Sequence, residues 1–136
     1  MANQPPVIML IDDDYDFVQI NRHILEGQGY RVECFYDCAQ AIDSLATAKP
    51  DLIITDLMMK SLDAGFALAR QIKHDQRFVN VPIIIATSVT SQLGMDFHPR
   101  SQAELSAMGV DAYFDKPIPA ATLLEKVKEL LTRASS

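Results

Sequence analysis

The chain has 136 residues, 49% of them hydrophobic and 22% charged, and a formal net charge of -6. That size and mix describe one globular domain with a real core, and no apolar run approaches the roughly eighteen residues a membrane span needs. The acidic balance repels nucleic-acid phosphates, and the short polar stretch Met1 to Pro6 lacks the apolar segment of a secretion signal, so neither direct DNA binding nor export is expected.

Strands and helices are expected to alternate five times. A first strand covers about 7–11, where Val7-Ile8-Met9-Leu10-Ile11 is apolar throughout and so buried on both faces. A helix follows from about Asp16 to Gln28 and stops at Gly29. The second strand is about 31–35. Asp37 caps the next helix, with Gln40 at the capping-box position, and that helix ends before Lys49-Pro50. The third strand is about 51–55. Asp63 can cap a third helix, where Gly65, Leu68, Ala69 and Ile72 share one face. Pro82 leads into a fourth strand, Ile83 to Ala86.

The segment 88–109 is unusual. Ser101-Gln102-Ala103-Glu104 reads as a capping box and Gly109 as a stop, which leaves a short fourth helix. The stretch 89–100 before it, with Gly94 and Pro99, is long for a loop in a compact domain, and reads either as a functional or mobile loop or as a tolerated surface insertion. A fifth strand is expected at about 112–114. The last helix opens with Pro119 and carries a stripe of Ala120, Leu123, Leu124, Val127, Leu130 and Leu131. This alternation predicts a doubly wound α/β sheet with right-handed crossovers. Cys34 and Cys38 suit a reducing compartment; Cys34 reads as facing a strand's packed side and Cys38 as beginning a helix. His23, His74 and His98 lack the neighbours of a metal or phosphohistidine site.

Two apolar strands run into aspartates, and a third is followed closely by Lys-Pro. Ile11 leads to Asp12-Asp13-Asp14, Thr55 leads to Asp56, and Phe114-Asp115 leads to Lys116-Pro117. In a parallel sheet the C-terminal ends of neighbouring strands meet at one edge. Carboxylates about 5 Å apart repel by roughly 3 kcal/mol per pair at an effective dielectric near 20. Such a pocket needs a cation or raised pKa values, and oxygen ligands of this kind suit a hard ion such as Mg²⁺. Taken singly, Asp12-Asp13-Asp14 could be a helix N-cap cluster, Asp56 a loop cap and Lys116 a surface lysine. Together they point to a metal-assisted phosphoryl site with an aspartate as acceptor.

From about Val7 to Leu131 the chain resembles the receiver domain of two-component response regulators. The resemblance rests on five separated signals in order: Ile11-Asp12-Asp13-Asp14; Pro50-Asp51 through Thr55-Asp56-Leu57-Met58-Met59; Asp63-Ala64-Gly65; Pro82 through Ala86-Thr87-Ser88; and Gly109-Val110-Asp111-Ala112-Tyr113-Phe114-Asp115-Lys116-Pro117. It implies a flavodoxin-like fold with a five-stranded parallel sheet in the order 2-1-3-4-5 and five helices. The domain would run over 7–132, with a flexible lead-in at 1–6 and a tail at 133–136.

The resemblance also implies roles. Asp56 is the phosphoacceptor. Asp12 and Asp13 hold Mg²⁺, Asp13 more directly, joined by Asp56 and the backbone carbonyl of Met58. Thr87 is the switch hydroxyl, Lys116 the lysine of the family pattern, and Tyr113 stands where the family has its switch aromatic, although a plain packing role suits it equally. The donor is a histidine kinase or phosphotransfer protein, and the output goes to a downstream protein. Phosphorylation-dependent dimerisation is compatible with the pattern; nucleic-acid or membrane binding is not expected, and the setting is cytoplasmic. The domain catalyses its own Mg²⁺-dependent phosphorylation and slow dephosphorylation and is not otherwise an enzyme. Met58 and Val89, both apolar, stand at positions that commonly face the hydrolytic water, which favours a long-lived phosphoryl state.

Some features depart from the usual pattern. Lys60 stands where a proline is common, Asp115 where Thr or Ser is common, and segment 88–109 is longer than usual. None removes a residue that the chemistry needs. Two other functions compete: a receiver-like adaptor that works by protein binding without phosphorylation, and an aspartyl-phosphate phosphatase of another α/β family. The set Asp12, Asp13, Asp56, Thr87 and Lys116 argues against the first. The second would want an acid two residues after the nucleophile, where Met58 stands.

Overall fold

The structure of the protein, a computed structural model, describes residues 5–56, 71–87, 110–116 and 118–135. Five parallel strands form one sheet in the order β2-β1-β3-β4-β5. They are β1 (Val7–Ile11), β2 (Arg31–Phe35), β3 (Leu52–Thr55), β4 (Ile83–Thr87) and β5 (Ala112–Asp115). The described helices are α1 (Tyr15–Glu26), α2 (Cys38–Leu45) and α3 (Ala120–Ser135), with a 3₁₀ turn at Gln76–Phe78. The expected helix from Asp63 is described only at its end, where residues 71–73 are helical, and the expected short helix before Gly109 lies outside the described residues.

Alternation along the strands builds two cores, because successive side chains point to opposite faces. Met9, Ile11, Ile53, Ile83 and Ile85 face one way and pack with Ala41 and Leu45 of α2, Ile72 and Phe78. Ile8, Leu10, Leu52, Ile54, Ile84, Ala86 and Ala112 face the other way, onto Val18 and Leu25 of α1 and Leu123, Val127 and Leu130 of α3. A sheet covered on both faces explains why β1 and β3 carry no alternating polar residue.

The helix starts follow from their caps. Asp14 caps α1 by accepting a hydrogen bond from Phe17 N–H at 3.2 Å, so this helix begins one residue earlier than expected and ends at Glu26, capped by Gly27. Gly29, with φ of 92°, is the last residue of the turn that follows and lets the chain enter β2. Asp37 caps α2 through Gln40 N–H at 2.8 Å, as the sequence predicts. In α3, Leu123, Val127 and Leu130 are buried, whereas Ala120, the first helical residue, is exposed. This helix continues to Ser135, into the tail expected at 133–136.

The entry edge of the sheet is pinned by two aspartates. Asp51 Oδ2 accepts from Val7 N–H at 2.7 Å, and Asp111 Oδ2 accepts from Ile83 N–H at 2.9 Å. Pro6, expected in the lead-in, accepts Arg31 N–H at 3.0 Å and so joins the sheet's margin. At the opposite edge the ladders run past the strands. Asp12 N–H donates to Phe35 O and Asp56 N–H to Ile11 O, both at 3.0 Å, which locks the two acids in register.

Candidate functional site

Strand parity explains why the site forms. Asp12 continues the parity of Ile8 and Leu10, Asp56 that of Leu52 and Ile54, and Lys116 that of Ala112 and Phe114. All three therefore belong to the face that α1 and α3 cover. With β3 beside β1, the acids following Ile11 and Thr55 become neighbours.

Asp12, Asp13 and Asp56 each offer a carboxylate oxygen, and these atoms lie within 4.8 Å of one another. Asp12 is fully buried, Asp56 is nearly so, and Asp13 is exposed. Lys116 Nζ sits 2.7 Å from Asp12 Oδ2 and 3.7 Å from Asp56 Oδ2. The closer contact is a short ion pair between two side chains that are almost closed off from water. Asp12 Oδ1 accepts Asp14 N–H at 2.9 Å. Burial, and then the charge of Asp56, push the Asp12 carboxyl up to about 6, against the opposing pull of Lys116.

This arrangement fits a hard divalent cation. The donors are all oxygens, two of them on buried aspartates, and Asp13 opens to solvent, where such an ion can keep several waters. The group could hold a metal ion, as the sequence suggests. Among the described residues it is the one cluster of this kind, and His23 and His74 take no part in it.

Tyr113 is half-buried and packs against the core that includes Ile85. Thr87 is the last residue of β4, in register with Asp115, while its hydroxyl and all of Met58 lie outside the described residues. The long 88–109 segment does too. Cys34 packs against the α1-side core and Cys38 begins α2, both as expected.

One neighbour of the site carries no sequence signal. Phe17, in the first turn of α1, places its ring 4.3 Å from Lys116 Nζ. Apolar periodicity marks Phe17 only as a packing residue. The aspartate run proves to be both of its readings at once: Asp14 caps the helix, and Asp12 and Asp13 face the site.

Residues 8–128 match the family model described as Response regulator receiver domain. The chain belongs to the response regulator receiver domain family. It is 33% identical over 131 residues to "Response regulator MprA" of Mycobacterium sp. (strain KMS), an alignment covering 96% of this chain and 53% of that protein. The chain thus spans about half the length of the curated relatives it matches. The signal receiver domain of a signal transduction histidine kinase from Syntrophus aciditrophicus aligns with a TM-score of 0.76 at 30% identity, covering 93% of this chain and 90% of that one. A CheY-like receiver domain protein from Methanospirillum hungatei JF-1 shares the fold, with a TM-score of 0.80, 23% identity and coverage of 96% and 97%.

The receiver is a module of two-component signalling, a phosphorylation switch rather than a metabolic enzyme. The adaptor that would work without phosphorylation is not favoured. Among the described residues, no helix is long and apolar enough to cross a membrane.

Proposed function

We propose that this receiver takes a phosphoryl group on Asp56 from a histidine kinase or phosphotransfer protein. An Asp56 carboxylate oxygen attacks phosphorus in line; the new O–P bond forms as phosphorus parts from the donor nitrogen, and the leaving imidazole retains the bond's electron pair. Mg²⁺, held by Asp12, Asp13, Asp56 and the Met58 carbonyl, would supply neutralising charge for the incoming oxygens.

The chain's own groups do the remaining work. Lys116 lies within 3.7 Å of Asp56 and can pair with a phosphoryl oxygen as a point charge. Thr87, at the end of the adjacent β4, donates a hydrogen bond to another. Drawn inward, it opens space that the Tyr113 ring fills, and this local charge change biases a two-state surface read by a downstream protein. Phosphorylation-dependent dimerisation is one form that reading could take. Autodephosphorylation is slow, and the protein works in the cytoplasm. The receiver unit spans 7–132.

The observation that carries this reading is the convergence of three carboxylates and one ammonium on a single sheet edge. Incubation with acetyl phosphate and Mg²⁺ is expected to add one phosphoryl group by intact-mass measurement. Asp56→Asn abolishes that gain. Undiminished labelling of the variant refutes the assignment.

A further inference from the structure

Four contacts close a circuit around the site. Asp12 Oδ2 pairs with Lys116 Nζ at 2.7 Å, and Asp12 Oδ1 accepts Asp14 N–H at 2.9 Å. Asp14 Oδ1 in turn accepts Phe17 N–H at 3.2 Å, and the Phe17 ring returns to Lys116 Nζ at 4.3 Å. The buried Asn21 fixes the same residue from the other side, its Nδ2 donating to Phe17 O at 2.8 Å. Phe17 is therefore held at both backbone polar groups while its ring packs against the α1-side core.

We infer that Phe17 is a positioning residue for the phosphoryl-accepting site: its ring face seats the Lys116 ammonium and holds it over Asp12 and Asp56. The inference rests on the function proposed above for Asp56 and adds a residue which that function does not name.

The physics favours an aromatic at this place. Lys116 is nearly buried, with 11% of its side chain exposed, so its ammonium has little water around it. A ring face within about 6 Å offers negative electrostatic potential without a formal charge. Another carboxylate there would add repulsion to Asp12 and Asp56, and a plain alkyl group would leave one side of the cation unsolvated. The ring resolves both problems. A lysine stem is flexible, with several rotatable bonds, so a fixed seat shortens the search for the phosphoryl oxygen.

The test separates this role from packing. Phe17 is replaced by Leu, Tyr and Trp, and by phenylalanines of increasing ring fluorination, which keep similar size while weakening the negative face. Labelling rates with acetyl phosphate and Mg²⁺ are followed by intact mass. Leu is expected to slow labelling about fivefold. Tyr and Trp retain most of the rate, and the logarithm of the rate falls steadily along the fluorine series. A flat fluorine series reduces Phe17 to a packing residue and overturns the inference.

A second measurement needs no phosphorylation. A double-mutant cycle of Phe17→Leu and Lys116→Met on metal-free unfolding is expected to be non-additive, whereas additive losses overturn the seat. If the wild-type protein takes no label at all, the Asp56 assignment fails and the cycle alone decides the Phe17 contact.

Discussion

Asp12→Asn is expected to stabilise the metal-free protein at neutral pH, although it removes an ion pair with Lys116. The reason lies in the burial of Asp12. Its carboxyl titrates at about 6 against an ordinary 3.8, chiefly because burial and then Asp56 disfavour the charged form. A folded-state pKa above the unfolded one means that the folded chain holds the proton more tightly. That stability is complete below about pH 3.8 and is lost as pH rises to about 6. A difference of about two pKa units corresponds to about 3 kcal/mol, which the charged group costs the native state above pH 6. Lys116 is already included, since it acts to lower the value.

An asparagine does not titrate, and its single oxygen can still accept Asp14 N–H. Its amide then faces Lys116, which must lean on Asp56, so the gain falls short of the ceiling, at about 1 to 2 kcal/mol. Urea unfolding in chelator at several pH values between 4 and 7.5 measures it. The difference between variant and wild type isolates Asp12 from the other carboxylates. It should be small or negative near pH 4 and grow in the variant's favour towards pH 6. Saturating Mg²⁺ reverses the order, because binding at 100 times Kd adds about 2.7 kcal/mol to the wild type. Parallel pH curves for the two proteins would refute the reasoning.

Asp13→Ala should weaken Mg²⁺ binding strongly in a calorimetric titration yet barely change metal-free stability, because Asp13 is exposed and its repulsion is screened by water. Asp14→Ala removes the cap of α1 and should cost about 1 kcal/mol in chemical denaturation, with less helix signal. Met58→Asn combined with Val89→Glu should shorten the life of the phosphoryl group in a phosphate-release time course, since polar groups can orient the attacking water; a lifetime unchanged from wild type would show that other groups position it.

What the sequence made legible is what strand ends and short-range chemistry determine. β1 and β3 are apolar runs that terminate in acids, so their register and the meeting of Asp12 with Asp56 follow from parallel pairing alone. Asp37 and Gln40 lie three residues apart, and the α2 cap is correspondingly plain. The limits are equally physical. Asp12 and Asp13 are adjacent and chemically identical, so only the fold shows that one is buried with a raised pKa and the other faces water. Asp51 and Asp111 stand in the motifs, yet their pinning of Val7 and Ile83 depends on which strand lies alongside.

Phe17 is the furthest from the sequence's reach. Its spacing suits a helix's packing stripe, and Lys116 belongs to the opposite end of the chain. They meet because α1 covers the face onto which β1, β3 and β5 all turn their terminal polar residues. The same packing that buries Val18 and Leu25 thus sets an aromatic ring beside the ammonium. In this fold the apolar core and the charged site are not separate designs: the helix that closes one core layer also sets the position of the site's lysine.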